Sequence, residues 1–353
     1  MPPDGREIER ITRASQSENP ANNGTPGLND HVLVSRSFAI AEISRIIDLV
    51  APSSAPVLIT GESGTGKEIV ARLVHAKSRR PQSPLVAINC AALPKDVIDN
   101  ELFGHEREAF TGAASRRLGC FERAHQGVLF LDELAEMHAQ VQAKLLRALE
   151  SKTIRRLGGH EDIEVDVRVV AATNKNVSQA LEEGSLRADL YYRLSVVEIH
   201  LPPLRDRKED IPLLADHFLK VLCEKHQREQ KIFSAESLGL LEAYQWPGNV
   251  REFRNITESI VLLCPERTID PKYLPPKISG AKKSLIPDLS EDAVVIPFGT
   301  SLAHAERDLI LHALLKTGNN KSRAARILGL SRKSMYDKLR QYEAGKLLPP
   351  SDS

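Results

Sequence analysis

The stretch Val57-Leu58-Ile59-Thr60-Gly61-Glu62-Ser63-Gly64-Thr65-Gly66-Lys67-Glu68 passes from a short β-branched run, through a glycine-rich turn, into a helical pattern. The helical pattern continues to Ala76 with Ile69, Val70, Leu73 and Val74 on one side. Strand, glycine loop and helix in that order form a cradle for phosphate. Glycines let backbone N–H groups turn to the anion, the helix N-terminus adds a favourable dipole, and Lys67 reaches the outer phosphates. Gly61, Glu62, Ser63, Gly64, Thr65, Gly66, Lys67 and Glu68 are the expected nucleotide-binding residues. The general pattern ends in Ser or Thr, which holds magnesium. Here that position is Glu68, so metal coordination rests on phosphates, water and a distant carboxylate.

Working outward, Leu85 to Asn89, Val128 to Leu131 and Val167 to Thr173 are further short apolar runs, separated by helical patterns. Alternation of this kind predicts a parallel sheet with helices on its faces. Gly127-Val128-Leu129-Phe130-Leu131-Asp132-Glu133 ends in two acids, which such a sheet presents at the C-terminal edge of a strand, beside the phosphates. Asp132 is expected to hold Mg2+ and Glu133 to orient or activate the attacking water. Together the two motifs point to hydrolysis of ATP.

The whole chain has 353 residues, 41% of them hydrophobic, which allows two or three domains with their own cores and excludes disorder throughout. Its 48 basic and 47 acidic side chains leave +1, which argues against a chain basic from end to end. Cys90, Cys120, Cys223 and Cys264 lie far apart without metal-ligand spacing and read as small buried hydrophobes of a reducing compartment. No apolar run approaches the roughly 18 residues of a membrane span and the start lacks a signal-peptide core, so a cytoplasmic location without membrane contact is expected.

Residues 1–30 are rich in Pro, Asn, Gly, Ser and charge and are expected to form a flexible arm. An α/β unit over 31–205, a helical subdomain over 206–275, a proline-rich linker over 276–300 and a last helical unit over 301–343 complete the expected organisation. In that last unit, Leu302 to Leu315 form an apolar helical stripe ended by Thr317-Gly318-Asn319-Asn320. A second short helix, Lys321 to Leu328, turns at Gly329 into Ser331, the expected N-cap of a third. This is a helix-turn-helix, and between Lys316 and Lys346 nine basic side chains face two acidic ones. Arg332, Lys333, Ser334, Tyr336, Asp337 and Lys338 are candidates for contact with double-stranded DNA.

From Val57 to Tyr342 the sequence resembles the sigma-54-dependent bacterial enhancer-binding proteins, transcription activators built on an AAA+ ATPase. The resemblance rests on GESGTGKE at Gly61 to Glu68, Asn89-Cys90-Ala91-Ala92, Glu101 to Glu106, Ala109-Phe110-Thr111-Gly112-Ala113 and LFLDEL at Leu129 to Leu134. It continues through Ala171 to Asn174, Leu186 to Leu194, Leu201 to Arg207, Trp246 to Glu252 and a Fis-type terminus. It implies an AAA+ P-loop fold with a helical lid, and a ring, hexameric in the family, that remodels the closed complex of sigma-54 RNA polymerase holoenzyme. By resemblance Arg187 and Arg193 are arginine fingers reaching the neighbouring subunit's γ-phosphate, Arg251 is the second sensor, Thr173 and Asn174 the first, and Asn89 restrains the catalytic glutamate. Phe110, Thr111 and Gly112 match the loop that touches sigma-54. The family hexapeptide opens with glycine where this chain has Glu108, whose Cβ and charge are expected to tune the loop.

Two rival readings remain at this level: a DNA-binding regulator that keeps the nucleotide fold but no longer activates sigma-54, and a general AAA+ remodelling chaperone. Roughly 30 residues cannot fold into the receiver or ligand-sensing domain that often opens these activators. The expectation is control in trans, by an inhibitor protein or by abundance, or a natural N-terminus that extends further.

Overall fold

The computed structural model describes residues 33–110, 113, 115–280, 296 and 300–343. The expected N-terminal arm and most of the expected linker lie outside the described residues. The chain divides at Gly280 into two compact units.

The first unit opens with helix α1 (Phe38–Val50), started by the Ser37 hydroxyl accepting from Ile40 N–H and burying Ile40, Ile43, Ile47 and Val50 along one stripe. Strand β1 (Val57–Thr60), helix α2 (Lys67–Ala76), strand β2 (Leu85–Asn89) and helix α3 (Lys95–Phe103) follow. Then come β3 (Val128–Asp132), α4 (Ala139–Ser151), β4 (Arg168–Thr173), α5 (Ala188–Leu194) and β5 (Val197–His200). The five strands form one parallel sheet in the order β2-β3-β4-β1-β5. Side chains alternate between its faces with period two. Leu58, Leu129, Leu131, Val169 and Ala171 join the core beneath α3, α4 and α5. Val57, Ile59, Val128, Phe130, Val170 and Ala172 join the core beneath α1 and α2. Coverage on both faces is why these strands read as continuous apolar runs.

The four expected strands are present, and β5 is an addition. It lies at the sheet edge beside β1, where only Ile199 of Val-Glu-Ile-His is buried, so its sequence lacks the apolar run that marks the other strands.

The lid consists of α6 (Ile211–Lys225), α7 (Ala235–Ala243) and α8 (Asn249–Leu263) around Trp246, Phe218 and Phe253. Trp246 packs edge-on to Phe253 at 4.8 Å and donates its indole N–H to Leu241 O, so its one polar atom is satisfied in the core. The lid core passes the expected boundary at residue 275. Pro276–Ser279 form a helical turn whose Ile278 is buried in the same cluster, so this stretch belongs to the lid and not to a linker.

The second unit holds α9 (Leu302–Lys316), α10 (Lys321–Ile327) and α11 (Arg332–Glu343), with Ile310, Ala313, Leu314, Ala324, Ala325 and Met335 as its core. Ser301, Asn320 and Ser331 each accept from a backbone N–H three residues on, the capping that separates three short helices. Gly329, at φ +66, makes the turn between α10 and α11. All four cysteines are buried and free, as expected of small hydrophobes. Among the described residues no helix is long and apolar enough to cross a membrane.

Candidate functional site

The phosphate loop joins β1 to α2 at the C-terminal edge of the sheet. Lys67 opens α2 and is only 6% exposed. Its Nζ donates to Gly61 O at 2.9 Å and Glu62 O at 3.3 Å, and lies 3.7 Å from Glu133 Oε1. Burial pushes the Lys67 ammonium below its ordinary pKa, and the charges of Glu133 and Asp132 oppose that shift. Glu68 turns away to an exposed pair with Arg72 one helical turn on.

In the sheet register Asn89 stands opposite Asp132, and its amide donates to Asp132 Oδ2 at 3.3 Å. The glutamate-restraining role implied by the resemblance for Asn89 is therefore not what this structure displays, because the register directs Asn89 to the aspartate. Glu133 is held elsewhere. Its φ of +56 turns the chain sharply at the end of β3, and its Oε2 accepts from the backbone N–H of Asn174 at 2.9 Å. Thr173 is buried at the end of β4, its hydroxyl accepting from Lys175 N–H. Of the expected sensor pair, it is thus the Asn174 backbone that touches the acidic centre. Burial, then the neighbouring Glu133, push the Asp132 carboxyl above its ordinary value, with Lys67 opposing.

The lid grips four consecutive phosphate-loop residues. Arg205 makes a two-pronged contact with Glu62, at 2.8 and 2.5 Å, and with the Asn249 amide draws that carboxyl down to about 2. Asn249, fully buried at φ +51, donates to Glu62 Oε2 and Ser63 O and accepts from Leu204 N–H. Arg251 reaches the Ser63 hydroxyl at 2.8 Å and its own N–H bonds Gly64 O. Arg207 Nη2 donates to Thr65 O at 3.0 Å. Gly64, at φ +80, permits the approach: a Cβ there would lie 2.4 Å from Gly248 O. Arg205, Arg207 and Asn249 join Arg251 in this grip; they lie in the Leu201 to Arg207 and Trp246 to Glu252 stretches, but only Arg251 is marked by the family pattern.

Residues 63–68, Arg207 and Arg251 line a cleft of about 370 Å³. Its lining also includes Asp132 and Glu133, and the apolar side chains Leu33, Val34, Ile69, Leu214 and Phe218, which offer a slot of the kind a nucleobase fills. No cluster of three or more His, Cys, Asp or Glu side chains exists among the described residues to cage a metal. Asp132, whose ionisation burial opposes, with Glu133 next to it nevertheless suits magnesium, which takes one or two carboxylates and completes its shell with phosphate and water.

Arg187 and Arg193 do not line this cleft. Arg187 is exposed at the start of α5 and forks onto Asp189 at 3.0 and 2.7 Å; Arg193 is exposed and donates to Leu149 O at 3.2 Å. Phe110 is 47% exposed and meets His105 edge-on at 5.0 Å. Thr111 and Gly112 lie outside the described residues. Glu108 takes φ +64, the left-handed region its expected glycine would favour, with its N–H bonded to Ala113 O at 2.9 Å.

In the second unit Arg332, Lys333, Tyr336 and Asp337 are exposed on α11. Tyr336 carries the Lys321 ammonium 5.1 Å above its ring. Ser334 is tied to the Ser331 hydroxyl at the helix start. Lys338 faces inward to Glu306 of α9 at 2.7 Å.

Comparison with known proteins agrees with this geometry. Residues 33–200 match the Sigma-54 interaction domain, 205–289 the AAA+ ATPase lid domain, and 301–342 the Fis family of bacterial regulatory proteins. The chain is 45% identical over 312 residues to the transcriptional regulatory protein ZraR of Escherichia coli, covering 87% of this chain and 68% of that protein. It is 40% identical over 363 residues to the transcriptional regulatory protein FlbD of Caulobacter vibrioides, covering 99% and 76% respectively. Among solved structures, NtrX from Brucella abortus in complex with ATP matches at a TM-score of 0.67 and 32% identity over 95% of this chain and 71% of that one. With its P-loop sheet, lid and Fis-type terminus, the chain belongs to the sigma-54-dependent transcription activators, DNA-binding AAA+ ATPases that act on sigma-54.

Proposed function

We propose that ATP binds with its base in the apolar slot and its phosphates across the loop at 61–68, and that Asp132 and Glu133 carry the hydrolysis. The observation that carries this is the grip of the lid on residues 62–65, which holds the phosphate loop beside the cleft that Lys67, Asp132, Glu133 and Arg251 line. On nucleotide entry Lys67 exchanges its loop carbonyls for the outer phosphate oxygens. Glu133, already oriented by Asn174 N–H, takes the proton of the water that attacks the γ-phosphorus as the bond to the β–γ bridging oxygen breaks. Asp132 would hold magnesium, which would supply neutralisation of the charge on the phosphates.

Arg187 and Arg193, exposed and outside the lining of their own cleft, fit a role towards a neighbouring copy in a ring, hexameric by family resemblance. The loop carrying Phe110, Thr111 and Gly112 would meet sigma-54, and the exposed face of α11 would meet DNA, with Arg332 and Lys333 on phosphate or base edges. Residues 31–205, the lid, a linker before 301 and the terminal unit would then act as separate parts of one cytoplasmic machine. The test is transcription in a purified system from a sigma-54 promoter, with ATP or a non-hydrolysable analogue, using the natural chain and Glu133→Ala. Open complexes that form with ATP alone, and are lost in the variant, support the reading. Activation indifferent to hydrolysis overturns it, and ATPase without open complexes favours a regulator that no longer drives sigma-54.

A further inference from the structure

Hydrolysis as described has no use for Asp210, yet Asp210 is fully buried, carries three donors from one short stretch, and abuts a phosphate-loop contact. The Ser35 hydroxyl lies 2.7 Å from both Asp210 carboxylate oxygens, Arg36 N–H donates to Oδ1 at 2.7 Å and Ser37 N–H at 3.0 Å. Oδ2 lies 3.7 Å from Arg207 Nη1, and Arg207 is the residue whose Nη2 holds Thr65 O. Arg207 is 2% exposed and its Nε–H has no hydrogen-bond partner among the described residues. Burial lowers its pKa, opposed by Asp210 and Glu209. Removing the carboxylate would therefore leave a buried guanidinium uncompensated, so the pair acts as a unit.

The stretch that Asp210 holds is also part of the cleft wall. Leu33 packs on the core under the sheet and Val34 on the core of the lid, and both line the slot beside Arg207. Segment 33–37 thus straps the two halves of the ATPase together, and its hydrogen bonds end, through two buried charges, on a carbonyl of the phosphate loop.

We propose that this strap is a control point for nucleotide binding, with Asp210 and Arg207 as the positioning pair that transmits its seating to Thr65. The inference rests on the cleft being the ATP site. When the strap is seated, Asp210 fixes the Arg207 fork, and the Thr65 carbonyl and loop are held in their phosphate-binding form. When it is displaced, Asp210 loses three donors and no longer holds the Arg207 fork in place, and the slot loses two walls. Whatever acts on the chain just before Leu33 therefore changes affinity for ATP and leaves the chemical step alone.

Steady-state ATPase measurements on the full chain test this. Ser35→Ala removes the hydroxyl contacts while leaving Leu33, Val34 and both charged residues in place. It is expected to raise KM for ATP about three- to tenfold, with kcat changed less than about twofold, and Ser35→Thr is expected to restore the natural KM. Arg207→Lys, unable to span Asp210 and Thr65 together, is expected to raise KM likewise, with no further rise in the double variant. A natural KM in Ser35→Ala overturns the proposal, as does a fall in kcat instead. A double variant whose KM increases multiply overturns the route through Arg207. If Arg207→Lys does not fold, the Ser35→Ala and Ser35→Thr comparison decides alone. A natural chain that turns over no ATP overturns the reading of the cleft, and this inference with it.

Discussion

The Asn174 backbone N–H donates to Glu133 Oε2 at 2.9 Å, so the side chain proposed to activate water is held by the residue that follows the neighbouring strand. The donor is main chain, and no side-chain substitution removes it. Glu133→Gln keeps an oxygen for that bond but has no basicity. Nucleotide affinity is expected to stay within about twofold while phosphate release falls about 10²- to 10⁴-fold. Titration with a fluorescent nucleotide beside a phosphate-release assay checks both, and a parallel loss of affinity would count against Glu133 as the base.

Gly64 is the contact point between loop and lid. A Cβ there would meet Gly248 O at 2.4 Å, and φ +80 suits no other residue well. Gly64→Ala is expected to cost about 1–3 kcal/mol by forcing the lid away. Arg251 and Asn249 would lose their hold on Ser63, so KM for ATP is expected to rise at least about tenfold. Thermal unfolding and steady-state kinetics measure the two effects, and an unchanged KM would show that lid closure does not set affinity.

Asp132 opposes the stability of the empty fold. Its pKa is raised by burial and by Glu133, so in the ionised form it disfavours folding. The penalty is absent at pH below its ordinary value of 3.8, grows as pH rises through the higher folded value, and is constant above it. At neutral pH, Asp132→Asn is expected to raise the nucleotide-free melting midpoint measurably. The gain should shrink as pH falls towards 3.8, and ATPase activity should be lost. A lower midpoint at neutral pH would mean that the carboxylate stabilises the fold.

What was legible in the sequence is what is local. Val57 to Thr60, Val128 to Leu131 and the run to Thr173 are short and buried on both faces, so composition alone marks them as strands; Leu85 to Asn89, at the sheet edge with only Ile88 buried, is marked by its apolar run alone. Capping serines and glycine turns mark the three helices of the last unit. The grip of lid on loop was not legible, because Glu62 and Arg205 are 143 residues apart and Ser63 and Asn249 are 186 apart. The Ser35 and Asp210 contact spans 175. Long-range hydrogen bonds leave no periodicity. The left-handed backbone at Glu133 and Asn249 leaves no signal either, since neither residue is glycine.

Glu108 is left-handed too, and this chain differs there from the glycine its family pattern carries. The strain is about 1 kcal/mol for a residue with a Cβ. The pairing of Glu108 with Arg107 at 3.3 Å is exposed at both ends and offsets little of that. Glu108→Gly is expected to favour the left-handed backbone at position 108 by up to about fivefold in population. Sigma-54 binding and transcript yield should change accordingly, and values equal to those of the natural chain would show that Glu108 does not tune the contact.

Two basic residues on α11 should behave oppositely on DNA. Arg332 is exposed at the start of the helix, whereas Lys338 is turned to Glu306 of α9, which holds its ammonium above the usual range. Each phosphate contact contributes close to one unit to the slope of log affinity against log salt. Arg332→Ala is therefore expected to flatten that slope by about one, as a released phosphate contact does. Lys338→Ala removes the link between α11 and α9, so it should lower affinity by loosening the three-helix unit while leaving the slope close to its natural value. Fluorescence anisotropy with the full chain and a duplex carrying its site, repeated across salt concentrations, separates the two effects. Equal flattening in both variants would assign Lys338 to the backbone of DNA and would mean that the Glu306 contact gives way on binding.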